Sequence, residues 1–238
     1  MSTSAIALPI YECQKVRDQI CIDGLLDEQD WLRAPPVLLN ECTNGSPLPP
    51  QLRTTARMLW DSENLYVAFE AADPDIRATF TERDDCLFQQ DVVEVFVAVQ
   101  GDPDLYGQFV EFEVSPTGVL MDAYNVAPYK GLLNWDARGW RCATRIDARA
   151  SNPSAPCGNY TVEMAIPFFN FYSLTYLPQR AREQGRQFAP NAGDWWRMNL
   201  YRIDRSGQPV VSTYCSWSAT MERRFHRPHR FGWVRFVS

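Results

Sequence analysis

The chain has 238 residues, 45% of them hydrophobic and 13% aromatic, enough to bury a sizeable core in one large β-domain or two small ones. A net charge of -6 and a pI near 5.0 argue against a nucleic-acid partner, which would need clustered Lys and Arg. No uncharged run approaches a membrane span and residues 1–14 lack a basic start and a sustained apolar stretch, so a cytoplasmic protein with no membrane partner is expected. The cysteines are seven, an odd and unpatterned set that suits reduced thiols better than a disulfide framework.

In chain order, residues 1–19 read as a lead-in without period, and residues 20–238 as one domain. Ile20-Cys21-Ile22 predicts a short strand, followed by a turn into a brief helical piece ending near Trp31 and stopped by Pro35-Pro36. Residues 40–50 have loop composition. Residues 54–60 and 65–71 flank the polar connection Asp61-Ser62-Glu63-Asn64 and predict a β-hairpin. After a polar loop containing Phe80, Leu87 and Phe88 comes the most apolar strand of the chain, Val92 to Val99. Val93, Val95, Val97 and Val99 make one face, and Val92, Glu94, Phe96 and Ala98 the other.

Residues 108–115 predict the next strand, with Val110, Phe112 and Val114 on one face and Phe109, Glu111 and Glu113 on the other; Pro116-Thr117-Gly118 turns the chain back into residues 119–124. If this strand lies beside the apolar one with polar faces matched, Glu94, Glu111 and Glu113 converge. Residues 139–147 and 159–166 are further strands; in the latter Tyr160, Val162, Met164 and Ile166 are expected inward and Thr161, Glu163 and Ala165 outward. Residues 168–177 fit a short helix or a packed loop, and residues 178–193 an insertion. Strands over 195–203 and 210–217 and a final strand after the aromatic and basic loop at 225–231 complete the pattern. Many short strands with almost no helical period predict an all-β fold, a single antiparallel β-sandwich of jelly-roll or immunoglobulin-like type with short helical pieces in its loops.

Ile22-Asp23-Gly24-Leu25-Leu26-Asp27-Glu28 with Trp31, Leu59-Trp60-Asp61-Ser62-Glu63-Asn64-Leu65-Tyr66-Val67, and Gln90-Asp91-Val92-Val93-Glu94-Val95-Phe96 carry a resemblance that continues through Glu111 to Gly118, Val162 to Phe168, Trp196-Arg197-Met198-Asn199, Ser216-Trp217 and Phe231-Gly232. In order and spacing these motifs resemble the family 9 carbohydrate-binding modules, over residues 20–237. The resemblance implies a β-sandwich related to the DOMON superfamily, often with structural calcium, that binds reducing ends of glycans between two tryptophans. Phe88 and Phe225 fall at the two aromatic positions, and Glu94 at an acid that contacts sugar. An aromatic ring stacks on the apolar C–H face of a pyranose while polar side chains take its hydroxyls. The chain departs from the pattern where Glu113 replaces an arginine and Glu222 an amide. Added acids raise one another's pKa unless a cation, a basic ligand, or Arg197 and Arg202 answer them; either the ligand has changed or the site has been lost.

The expected function is therefore non-catalytic binding of a saccharide or related small polar ligand, with Phe88 and Phe225 as stacking platforms and Glu94, Glu113, Asn199, Tyr201 and Arg202 as polar partners. No cofactor is required by this reading; a structural calcium would come from the resemblance and from the acid-bearing loops at 73–75, 82–85 and 102–104. The alternative is an intracellular biosynthetic enzyme that uses Glu94, Glu111 and Glu113 as acid and base. A plain solvated acidic face competes with both. The resemblance to DOMON relatives, which include haem-binding domains, also implies haem as an option: His226 and His229 lie three apart with arginines that would suit its propionates, but His226 falls inside the closing motif. The oligomeric state is left open.

Overall fold

The computed structural model describes residues 7–99, 107–147, 158–174 and 189–238. In chain order its strands are β1 (Ile10–Lys15), β2 (Val37–Leu38), β3 (Asn40–Glu41), β4 (Thr54–Trp60), β5 (Asn64–Asp73), β6 (Val92–Ala98), β7 (Phe109–Val114) and β8 (Leu120–Asn125). They continue as β9 (Gly131–Leu132), β10 (Arg141–Ile146), β11 (Gly158–Pro167), β12 (Trp195–Ser206), β13 (Val211–Ser216) and β14 (Gly232–Val237). One short helix, α1 (Gln29–Arg33), lies between β1 and β2, and Phe168–Leu174 forms a 3-10 turn, which decides between the helix and the loop expected there.

These strands form one sheet that curls back over itself in the order β10-β11-β5-β4-β1-β14-β12-β6-β7-β8-β9. The two arms are the layers of a β-sandwich. Alternation explains why they close: Val93, Val95 and Val97 of β6, Phe112 of β7, and Met198 and Leu200 of β12 meet Met58, Val67, Phe69, Val162 and Met164 in one buried cluster. Burying such side chains contributes about 1.5–3 kcal/mol each. The hairpin of β4 and β5 pairs Thr54 with Ala71 through Trp60 with Leu65, as the polar connection between them predicts.

The structure corrects the sequence reading in three places. Residues 10–15 of the lead-in are a strand that buries Tyr11 and Cys13 and pairs in parallel with both β14 and β4, so the sandwich is mixed rather than wholly antiparallel. Ile20-Cys21-Ile22 is not a strand; Ile20 instead packs with Trp31, Leu59 and Tyr66 on the outside of β4 and β5. Glu163, expected outward, is fully buried because this same segment covers it. Its carboxylate accepts the backbone N–H groups of Asp23 and Gly24 at 3.0 Å each and the Trp31 indole N–H at 2.9 Å. The expected insertion falls largely on residues 175–188, outside the described residues.

Candidate functional site

The second face of β6 and β7 turns away from the main core. In register, Glu94 of β6 stands opposite Glu113 of β7 on one side and Tyr201 of β12 on the other, and Glu111 stands opposite Ala123 of β8. Because alternate residues share a face, this places Glu94, Glu111 and Glu113 together, with carboxylate oxygens within 4.8 Å of one another and all three side chains buried. They form the floor of a cavity of about 480 Å³ whose walls include Phe88, Asn125, Tyr129, Phe225 and His226.

Each wall is held by a definable contact. Phe88 projects from a 3-10 turn at Leu87–Gln89, anchored by buried Leu87 and by the Arg205 guanidinium, which donates to the Phe88 carbonyl at 2.7 Å. Phe88 keeps 45% of its surface exposed. Phe225 is stacked on Tyr201, ring centroids 4.1 Å apart and 12° from parallel, and the Tyr201 hydroxyl donates to the Phe225 carbonyl at 2.9 Å. The loop carrying Phe225 is tied to β12 by Arg197, which donates to the Phe231 and His229 carbonyls at 2.9 and 3.0 Å. Tyr129 has a φ of 62°, a region tyrosine rarely enters, and its ring lies 4.6 Å from that of His226. His226 Nε2 is 3.2 Å from a Glu111 oxygen that also accepts the Asn125 amide at 3.0 Å.

The polar residues expected at this site divide. Glu94, Glu111 and Glu113 are brought together in its floor, so a solvated acidic face is not what the sequence builds. Tyr201 acts behind the wall, supporting Phe225. Asn199 does not line the cavity: its amide donates to the Ser218 carbonyl and accepts the Leu200 and Ser218 N–H groups, fixing the chain that leaves β13. Arg202 points to the opposite side of β12 and is consumed by Asp73 and Asp204, and Arg197 by the closing loop. Arg202 therefore does not answer the glutamates. Glu222 is paired with Arg227 and does not line the cavity. Asn125, Tyr129 and His226 were not foreseen as cavity residues; only His226 carried a signal, as one of two histidines in an aromatic and basic loop.

Burial, and then the proximity of Glu111, push the Glu94 carboxyl well above the carboxylate range; burial and then Glu94 and Glu111 do the same to Glu113. Burial likewise raises Asp91 to about 7 and Asp122 to about 6, against the hydrogen bonds and ion pairs they receive. A carboxyl whose pKa is raised by folding contributes stability that is present below its unfolded value, near 4, and is lost as pH rises through its folded value. His229, lowered by burial and by Arg227, acts in the opposite sense as one partly exposed group. The ligand-free protein should therefore melt several degrees higher at about pH 5 than at about pH 8, a shift readable by differential scanning calorimetry. A melting temperature that falls on acidification over this range would contradict these environments.

Outside the cavity floor, two acid clusters include residues of the loops from which the implied calcium is expected to draw ligands. Asp73, Asp91 and Asp204 converge, but Arg202 donates to Asp73 and Asp204 at 2.9 and 2.8 Å, and the Arg77 and Arg205 backbone N–H groups donate to Asp91. Asp84, Asp122 and Asp136 surround Arg83, which is ion-paired to all three. An arginine stands where the ion would sit in each, so neither triad fits calcium as folded. The loop at 102–104 lies outside the described residues.

The fold and the cavity define a β-sandwich domain with a cavity of aromatic walls and an acidic floor. The profile of the family described as Carbohydrate family 9 binding domain-like matches residues 22–238, and the chain belongs to that family. Its fold is similar to that of a candidate carbohydrate-binding protein from Bacteroides uniformis, at a TM-score of 0.69 and 16% identity over 97% of this chain and 100% of that one. It is also similar to a family 9 carbohydrate-binding module from Caldicellulosiruptor kristjanssonii, solved with cellotriose (TM-score 0.61, 16% identity, 96% of this chain and 94% of that one) and with glucose (0.58, 15%, 96% and 95%). No curated protein matches the chain.

Proposed function

We propose that this domain binds a saccharide without altering it, in the cavity between Phe88 and Phe225. The observation that carries the reading is the pairing, in one cavity, of an exposed aromatic platform and a stacked aromatic wall with a floor of hydrogen-bonding carboxyls. A pyranose has the same two characters, an apolar C–H face and an equator of hydroxyls, so one ring can satisfy both surfaces at once. The cavity volume falls in the range that holds a small ligand. Membership of the family and the sugars bound by the structural relatives support the same reading.

Calorimetric titration with a panel of mono- and disaccharides tests it. Wild-type protein should bind at least one of them, and Phe88→Ala should weaken that binding about threefold to tenfold, the worth of one aromatic contact at a half-exposed position. Absence of heat with every saccharide would count against the reading. The raised proton affinity of the buried Glu94 and Glu113 favours one second reading, acid and base chemistry on the bound ligand. Recovery of a chemically changed saccharide after incubation would establish it in place of the first.

A further inference from the structure

Three carboxyls on one cavity floor are more than a neutral sugar requires, and among the described residues the one cation whose charge lowers the Glu94 pKa, Arg205, is outweighed by burial and by Glu111. Glu94 Oε1 and Glu113 Oε2 are buried with no hydrogen-bond partner, on side chains only 2% and 1% exposed, and both residues face the cavity. Such oxygens are costly to leave unmade. His226 and Asn125 are both spent on Glu111. Among the described residues, the charged and titratable groups facing the pair from the surrounding elements are Glu111 on β7, Tyr201 and Arg205 on β12, Tyr214 on β13, Cys86 ahead of Phe88, Tyr129 between β8 and β9, and Arg223, Arg224 and His226 on the closing loop. Arg205 donates to the Phe88 carbonyl and to Ser212, and stacks over Tyr214. Arg224 is at the mouth with 65% of its side chain in water, where its charge is screened.

Resting on the saccharide-binding reading, we propose that the preferred occupant is an amine-bearing saccharide, held with its ammonium over Glu94, Glu111 and Glu113 and its sugar ring between Phe88 and Phe225. An ammonium brings three donors, enough for the two orphan oxygens and one further contact on the floor. The aromatic rings of Phe88, Tyr129 and Phe225 on the cavity walls add cation–π attraction. Burial and mutual proximity raise the proton affinity of Glu94 and Glu113 in the free protein, so an arriving ammonium favours release of a proton: the proton leaves to buffer and the carboxylate it uncovers pairs with the ligand charge.

The test is calorimetry of the full chain, treated beforehand with a chelator, at about pH 6.5, where an amine of ordinary basicity is charged. The probes are glucose, glucosamine, N-acetylglucosamine and calcium chloride, each titrated in two buffers of different ionisation enthalpy. Glucosamine should bind at least about tenfold more tightly than glucose or N-acetylglucosamine, with net proton release, and Glu113→Gln should erase that preference while melting as a folded protein. Equal affinity for the three sugars, or no proton release, would overturn the amine preference and leave saccharide binding standing. Failure of every sugar to bind the folded protein would remove both. Calcium binding that Glu113→Gln abolishes, without an amine preference, would mark the floor as a metal site and overturn the proposal.

Discussion

Replacing Arg202 with methionine is expected to destabilise the fold by about 3–5 kcal/mol, read as a fall in the midpoint of chemical denaturation at unchanged slope. Arg202 is fully buried on β12, between the layers of the sandwich. One guanidinium nitrogen donates to the Thr54 hydroxyl at 2.9 Å and the Ala72 carbonyl at 2.7 Å; the other donates to Asp73 and Asp204. Its charge also lies over the Tyr160 ring, 5.5 Å from the centroid. The arginine thus joins the end of β12 to the start of β4 and the end of β5, and those strands to each other. Methionine fills most of the volume but leaves two buried aspartates unanswered, and that uncompensated charge dominates the loss. Arg202→Lys should recover only part of it, since one ammonium cannot reproduce a planar fork. A loss below about 1 kcal/mol for Arg202→Met would show that the aspartates are neutralised in some other way.

The second large effect is expected at Phe225. Phe225→Ala should weaken saccharide binding at least about tenfold, because it removes one wall of the cavity and uncovers the Tyr201 ring beneath it. The substitution also opens a void against Tyr201 and Tyr214, so some stability is lost. Phe225→Leu separates the two effects: it keeps most of the apolar volume, and so the melting temperature, but offers no flat face. Phe225→Leu should therefore lose affinity with little loss of stability. Binding by Phe225→Leu and Phe225→Ala equal to that of wild type would show that the sugar lies elsewhere.

Much of this architecture is legible in the residues themselves. The alternation in β6 and β7, with acids confined to one face of each, forces the glutamates together once the strands are neighbours, and the observed register places Glu94 opposite Glu113. The β4–β5 hairpin follows from a polar connection between two alternating runs. What was not legible depends on partners distant in sequence. Tyr11 and Cys13 alternate in β1, but its first parallel partner is the last strand of the chain, with Ile10 beside Trp233. Glu163 reads as a surface residue until the segment around Gly24 and Trp31 is laid over it. Asn199 and Arg202 have the chemistry of ligand contacts, but local alternation does not reveal that one is used by backbone at Ser218 and the other faces the main core. Tyr129 and His226 reach the cavity from loops, where no period marks the direction of a side chain.

The most direct test of a saccharide site between Phe88 and Phe225 is a crystal structure of the chain grown with the tightest-binding sugar of the calorimetric panel. The sugar ring is expected in the cavity, its C–H face on Phe88 or Phe225 and its polar groups over Glu94 and Glu113. An ordered sugar instead in the groove of the opposite layer bordered by Arg53, Arg57 and Arg145, with this cavity holding only solvent, would contradict it.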